Sequence, residues 1–439
     1  MNILVIDTDN GCTIGWLMKC QDAGHSVRMY TGKPHKKHVG QGLVKKVEDW
    51  HDSMSWADLV FCPDNTRYLK ELDEWRKRDK RKMIVAPSEE SAKWELDRLK
   101  GMKVFRDAGI EVPACREFSD YDAAIAYVKK EDRPFVSKPC GDEDDKSLSY
   151  VSKSPADLVF MLERWKKVGK LKGKFILQEK IKGIEVAVGA WHGPSGFVDG
   201  WEVNFEHKKL MPGDHGPNTG EMGTVMQYVK SDKLADVLLK PLAKQLSKLD
   251  YVGDVDVNAI VDEEGNAWPL EFTMRPGWPA FNIQLPLIDG DPAEWLADVW
   301  EGKTKGPWKY DKISVGVVMA IPDFPYSKAT QKDVQGLPLY GLDDVDMNDV
   351  HLCEVMRGEA PHDVDGRVIH GPSIVSAGDY VLVGTGVADT VHDARRKVYS
   401  TLGKISMPGS PFYRDDIGER LKTEIPKLQE HGYSKAMSY

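Results

Sequence analysis

The stretch from Gly253, "GDVDVNAIVDEEGNAWPLEFTMRPG", leaves a chain few choices. Side chains on a strand alternate between faces, so "DVDVNAIV" sets Asp254, Asp256 and Asn258 on one face and its valines on the other. "EEGN" is a hairpin turn sequence, so the strand through Glu271 returns beside the first. The carboxylates of Asp256 and Glu271 can then point into one cleft.

Around this hairpin the chain alternates between short apolar runs and amphipathic segments. "MNILVID", a helix through "IGWLMKCQDAG", a strand near "HSVRMY", and then "ADLVFCP" and "KMIVAP" predict a parallel α/β unit. At 439 residues the chain is too long for one core, and roughly 150 residues per domain gives about three. From about Ser91 a long charged helix is expected through "SAKWELDRLKGMKVFRDAG", followed by a helix around Tyr121 to Lys130 and a strand, "PFVSKPCG", presenting Lys138. "KFILQEKIKGIEVAVGAW" reads as two strands joined by a turn at Gly183. Beyond "WEGKTKGPWKY", "ISVGVVMAI" opens a third unit of short strands and a helix near Ala388 to Leu402. The expected class is α/β, with a parallel α/β domain over 1–100, a central domain over 101–305 and a small mixed α/β domain over 306–439.

Composition excludes some functions. No run reaches the ~18 to 20 apolar residues of a membrane span, and "MNILVID" lacks the features of a secretory signal, so no membrane partner and a cytoplasmic location are expected. The six cysteines show no C-x-x-C spacing, which argues for reduced thiols. A net charge of -9 disfavours a protein that coats nucleic acid. Three stretches are nonetheless basic: "GKPHKKHVGQGLVKK", "WRKRDKRK" and "WKKVGKLKGK". They read either as solvated faces or, with Trp50, Trp56, Trp75 and Trp165, as a path for a polyanion.

The phosphate loop G-x-x-x-x-G-K-[ST] is absent, and "NGCTIG" is too weak for a dinucleotide site. Two carboxylates on neighbouring strands with lysines on other strands can instead hold a magnesium nucleotide, the carboxylates binding metal and the lysines phosphate. Either element alone also describes an ordinary solvated strand face.

Further residues sharpen this. Lys138, "LQEKIKGIE" from Leu177 and "PLEFTMRPG" from Pro269 occur in the order of the ATP-grasp ligases. "HKKLMPGDHGPNTGEMG" from His207 resembles the glycinamide ribonucleotide synthetase signature, which ends GPNTGGMG, and "ISVGVVMA", "GLPL" and "FYRDDIGERL" resemble that family's C-terminal domain. The resemblance implies an ATP-grasp fold for the central domain and ATP and Mg2+ as cofactors. It implies formation of an amide, through an acyl phosphate, between an amino acid such as glycine and an amine. It also implies that Lys138 and Lys146 contact phosphates, that Gln178, Glu179, Lys180 and Ile181 form the adenine hinge, and that Glu185 meets the ribose. Glu271, with Asp256 and Thr273, would ligate magnesium. Arg275 would hold the acyl phosphate or substrate carboxylate, with Lys208 and Asn218 orienting it. Asp214, Gly216, Pro217, Thr219, Gly220, Glu221, Met222 and Trp278 would line the substrate site, Gly216, Gly220 and Gly223 bringing backbone N–H groups to an anion.

The departures from the family pattern cluster. The family's N-terminal loop, a glycine pair followed by Arg-Glu-His, helps hold the phosphate of phosphoribosylamine, and here it reads "DTDNGCTIGW". The Gly- and Ala-rich loop over ATP is "CGDEDDKSLSY"; an acid–asparagine pair is Glu271 and Thr273; Gly-Asp-Pro-Glu is Gly277, Trp278, Pro279, Ala280; and Glu221 replaces a glycine. The departures imply a ligase with a changed amine acceptor, for instance an amine on a modified nucleotide or DNA base. Two alternatives are a phosphoribosylamine–glycine ligase of purine synthesis and a non-catalytic nucleotide- or DNA-binding module.

Overall fold

The computed structural model describes residues 1–7, 11–65, 67–140, 149–169, 173–327 and 331–439. Its first sheet is parallel, in the order Ser26–Tyr30, Asn2–Ile6, Leu59–Phe61, Met83–Val85. The strands are apolar on both faces because both are covered: Ile3 and Val5 pack with Ile14 and Leu17, while Leu4 and Ile6 pack with Trp50 and Met54.

The expected long helix near Ser91 is two, Glu89–Leu96 and Arg98–Asp107. Asp97 leaves helical geometry (φ -101°, ψ 95°), and its carboxylate accepts from the N–H groups of Leu99 and Lys100, so it ends one helix and caps the next. This break lets Glu95 and Arg98 both face the hairpin at Glu271.

Two antiparallel sheets follow. The smaller runs Cys115–Phe118, Phe175–Glu179, Phe135–Pro139, Tyr150–Val151, with helices Tyr121–Glu131 and Pro155–Lys167 covering one face. Phe135, Phe175 and Leu177 point into that helical core, so by alternation Lys138 and Gln178 sit on the opposite face. The larger, nine-stranded sheet runs Ala267–Thr273, Gly253–Val261, Ile184–Gly193, Trp201–Glu206, Gly223–Val229, Ile313–Ala320, Tyr380–Ala388, Val350–Leu352, with Gly196–Phe197 beside Ile184–Gly193. Phe175–Glu179 and Ile184–Gly193, expected to be joined by a turn, lie in different sheets, and residues 180–183 cross between them. The larger sheet also runs across position 305, because Ile313–Ala320 pairs with both Gly223–Val229 and Tyr380–Ala388. A separate ribbon, Val355–Val364 with Arg367–Ser376, extends from it.

No described helix is long and apolar enough to cross a membrane. Trp50 (1% exposed) and Trp165 (5%) are core residues, so neither can stack on a base. In "WRKRDKRK", Arg76 is tied to Asp73 and to the Ala86 carbonyl, and Arg78 lies over Trp75.

Candidate active site

The hairpin forms as its sequence requires. Asn258 pairs with Glu271 and Asp256 with Thr273, which puts the acids on one face across two strands. Ile184–Gly193 lies on the other side of this strand and contributes Gly189 and Ala187 opposite Asp256 and Asn258. A Cβ on Gly189 would lie 3.0 Å from Asp256 Oδ2, so the glycine leaves room for the carboxylate to reach across. Asn204, one strand further on, uses that room. Its amide donates to Asp256 Oδ2 (2.8 Å) and Glu202 Oε1 (3.1 Å), while Asn258 donates to Glu206 Oε2 (3.0 Å).

These groups form a buried acidic band. Burial, reinforced by Asp256, pushes the Glu202 carboxyl up to about 8; burial and Glu206 raise Asp256 to about 7. The oxygens Asp256 Oδ1, Asn258 Oδ1 and Asn204 Oδ1 are buried and have no hydrogen-bond partner among the described residues.

The cations converge at the band's edge. Lys208 Nζ lies 2.9 Å from Glu185, 3.0 Å from Glu206 and 3.6 Å from Glu271. Arg98 binds the other Glu271 oxygen at 2.5 Å. Against the pull of burial, Arg98, Lys208 and Lys138 hold the Glu271 carboxyl well below its usual range, and Glu185, Glu206 and Glu271 hold Lys208 well above its own. Lys138 has no such excess of partners. Burial outweighs the attraction of Glu271 and lowers its ammonium to about 8.

At the expected hinge, the Glu179 side chain turns to Arg133, its N–H donates to the Ala114 carbonyl (2.7 Å), and Lys180 Nζ donates to the Ser152 carbonyl (2.8 Å). Gln178 is buried beside Met102, and Ile181 is half-buried. Lys146 lies outside the described residues.

The signature stretch is a short irregular ribbon in which Lys209 pairs with Asn218 and Met211 with His215. Gly213 (φ 67°), Asp214 (φ 56°) and Gly216 (φ 81°) take left-handed geometry at its turn, which glycine tolerates and aspartate adopts at a cost. The C-terminal segment supports that turn. Arg414, 2% exposed at its side chain, forks onto Asp416 (2.7 Å twice) and reaches Asp214 (3.0 Å) and the Lys209 carbonyl (2.9 Å). Asp416 accepts from the Gly213 N–H, and the Gly418 N–H donates to His207 Nε2 (3.1 Å). Burial beside Arg420 and Arg414 lowers His207 to about 3, which keeps it neutral as an acceptor. Asp214 and Gly216 therefore sit at an exposed tip, and Asn218 and Pro217 are on the same ribbon, Asn218 exposed. Thr219 returns inward, where its N–H and hydroxyl both donate to the Lys208 carbonyl (2.7 and 2.9 Å) and fix the lysine. Met222 is buried, its N–H on the His207 carbonyl.

The three glycines expected to approach an anion differ. Gly223 is required by packing, since a Cβ there would lie 2.5 Å from the Gly316 carbonyl; Gly216 serves the turn; only Gly220 faces open space, the nearest atom to its Cβ position being the Trp278 carbonyl at 3.9 Å. Arg275 stacks over Trp278 (4.9 Å) and pairs with Glu95 (3.2 Å). Burial notwithstanding, Glu95, Asp64 and Glu221 raise its affinity for its proton.

Residues 100–280 match the family model of the phosphoribosylglycinamide synthetase ATP-grasp (A) domain, and residues 314–420 match that of the same enzyme's C domain. Together these span well over half the chain. The chain belongs to the phosphoribosylglycinamide synthetase group of ATP-grasp ligases. As such it is a carbon–nitrogen ligase that uses ATP with Mg2+. Among its relatives, the phosphoribosylamine–glycine ligase of Listeria innocua is 29% identical over 330 residues, covering 71% of this chain and 72% of the relative. That of Halalkalibacterium halodurans is 24% identical over 448 residues, covering 97% and 98%. The crystal structure of phosphoribosylamine–glycine ligase from Thermotoga maritima superposes with a TM-score of 0.72 at 20% identity, covering 95% of this chain and 100% of that one. N5-carboxyaminoimidazole ribonucleotide synthetase of the same organism gives 0.59 at 14%, covering 93% and 99%.

The donor set fits the ATP-grasp cofactors. Magnesium takes hard oxygens and is commonly held by one or two carboxylates with phosphates completing its shell. Asp256 Oδ1 and Asn258 Oδ1 are unpaired oxygens beside Glu271, and Lys138 and Lys208 face the same cleft. Among the described residues no three acidic, His or Cys side chains are already gathered as a cage, as expected where phosphates supply the remaining ligands. Sequence reasoning missed Arg98, Glu95, Glu202, Asn204 and Glu206. The last three carry the same every-second-residue polar signal, in "WEVNFE", that marked Asp254, Asp256 and Asn258.

Proposed function

We propose that the protein is an ADP-forming amide ligase that joins the carboxylate of an amino acid, glycine among the candidates, to an amine other than phosphoribosylamine. The observation that carries this reading is a contrast around one helix. The N–H groups of Gly11 (3.2 Å) and Thr13 (3.3 Å) and the Thr13 hydroxyl (2.8 Å), at the start of Ile14–Asp22, all donate to Asp7. Among the described residues, a carboxylate already holds donors that a phosphate at this helix start would need.

ATP supplies the phosphoryl group that activates the carboxylate as an acyl phosphate. The amine nitrogen then forms the C–N bond as the acyl C–O bond breaks, phosphate leaves with the electron pair, and the amine's surplus proton passes to solvent. Lys138 and Lys208 are suited to neutralise phosphate charge, with Lys146 beyond the described residues. Asp256 and Glu271 are suited to hold magnesium, with Asn258 as a neighbouring oxygen and Thr273 beside Asp256. Arg98, paired with Glu271, is a further cation at this cleft. Gln178 to Ile181 with Glu185 border the nucleotide side.

A second reading, that the chain is itself a phosphoribosylamine–glycine ligase, is favoured by the names of its relatives. A base amine of a nucleotide or DNA is the polyanionic acceptor to compare with it. ADP release is measured with glycine and other amino acids, each with phosphoribosylamine, an amine-bearing oligonucleotide or small amines. Turnover confined to phosphoribosylamine would establish the second reading, and tight DNA binding with no ADP from any pair would mark a binding module.

A further inference from the structure

Asp256 is held by a strand that is not its neighbour. Strand pairing sets Glu202, Gly189 and Asp256 in one row across three strands and Asn204, Ala187 and Asn258 in the next, with Ile184–Gly193 in the middle. Paired residues share a face, and Asp256 stands two strand spacings, roughly 9.5 Å, from Trp201–Glu206. A large side chain on the middle strand would fill that interval. Gly189 and Ala187 leave it open, and two hydrogen bonds cross it in opposite directions: Asn204 donates to Asp256 Oδ2 (2.8 Å), and Asn258 donates to Glu206 Oε2 (3.0 Å).

The first crossing is the more constrained. The Asn204 amide nitrogen also donates to Glu202 Oε1 (3.1 Å), so it faces two carboxylates at once. A flipped amide would set its oxygen against both, which fixes the orientation. Asn204 is 3% exposed, and its strand is held in register by Ile184–Gly193 on one side and Gly223–Val229 on the other. One oxygen of Asp256 is thereby anchored, while Oδ1 has no partner among the described residues. The second crossing ends on Glu206, which also takes Lys208 Nζ at 3.0 Å, so the same strand reaches the phosphate-facing cation.

A carboxylate with one oxygen anchored and the other free is set to bind a metal through a single oxygen. Carboxylates that ligate metals are themselves oriented by hydrogen bonds from a surrounding layer of residues. We propose that Asn204 is a positioning residue for magnesium: its amide, bridging Glu202 and Asp256 over the gap at Gly189, holds Asp256 Oδ2 so that Oδ1 is presented to the metal. This rests on the ligase reading and its placing of magnesium on Asp256 and Glu271.

The test uses the full chain and the non-hydrolysable ATP analogue AMP-PNP, without amino acid or amine, titrated calorimetrically in EDTA and in Mg2+. In the wild type Mg2+ is expected to strengthen binding. In Asn204→Leu, which removes the donors at similar volume, that gain is expected to fall by roughly tenfold or more, with affinity in EDTA unchanged. A residue that merely kept the sheet packed would weaken both alike. Gly189→Ala, whose Cβ would lie 3.0 Å from Asp256 Oδ2 and displace it, is expected to lower the gain severalfold. An undiminished gain in Asn204→Leu overturns the proposal; should that variant not fold, an undiminished gain in Gly189→Ala does so. A wild type that binds the analogue no more tightly in Mg2+ than in EDTA refutes instead the magnesium site of the ligase reading, and this inference with it.

Discussion

The surroundings of Glu271 and those of Arg275, four residues further along the chain, match charge in opposite ways. In the cleft each exposed-edge carboxylate has a cation: Glu271 has Arg98 and Lys208, and Glu185 has Lys208. Around Arg275 the balance is reversed: Glu95 lies at 3.2 Å, and Asp64 and Glu221 add their charge. A site that is balanced before its ligand arrives can exchange cations for a magnesium nucleotide at little electrostatic cost. A cation already matched by several acids is a weaker anchor for a further anion.

The largest expected effect breaks the cleft. Lys138→Ala or Glu271→Ala is expected to lower ADP formation by roughly 10²- to 10³-fold or more, since each removes charge from a phosphoryl-transfer site. Retained activity in both would put the nucleotide elsewhere. Next is the support of the ribbon. Arg414→Ala strands Asp416 and Asp214 and is expected to cost roughly 2–3 kcal/mol in chemical denaturation. Asp214→Ala, whose carboxylate is 60% exposed, is expected to cost at most about 1 kcal/mol. If the two variants were equal, the ribbon tip and not the Asp416 fork would hold the segment.

A pH test sharpens the contrast further. Burial raises Glu202 to about 8 and raises Glu221, so between the unfolded carboxylate range and about pH 8 the folded protein binds more protons than the unfolded one. Stability of the nucleotide- and metal-free protein is therefore greatest below about pH 4.5 as far as these groups are concerned. It falls as pH rises through about 8, by on the order of 1 kcal/mol or more. Glu202→Gln is expected to flatten that fall in thermal unfolding curves between pH 5.5 and 8.5; an unchanged slope would mean that the acidic band is paired more fully than its geometry indicates. The smallest effect concerns the basic stretches: with Trp50 and Trp165 in cores, affinity for single-stranded DNA is expected to be weak and to vanish with added salt, as read by fluorescence anisotropy.

The parts of the fold legible in the sequence were those governed by local periodicity. The parallel strands, the hairpin at Gly253 and the placement of Lys138 follow from alternation and turn residues alone, and the signature ribbon pointed to the family. What stayed hidden depends on distant partners. Arg98 looked like one more helix cation until the break at Asp97 turned it toward Glu271. Asp214 looked like a substrate ligand because its clamp, Arg414, is far away in sequence. Gly223 looked like a ligand-facing glycine because nothing local reveals the Gly316 carbonyl against it. Glu221 alone was visible as an oddity, and the structure supplies its hydrogen-bond partner, the Thr224 hydroxyl.

The central claim is that the chain activates a carboxylate by phosphoryl transfer and passes it to an amine. Its most direct test is to run the reaction with the amino acid carboxylate labelled with oxygen-18 and analyse the released phosphate by mass spectrometry. The account predicts one labelled oxygen in each phosphate and one retained in the amide. Unlabelled phosphate, released at the same rate with or without the amine, would contradict it.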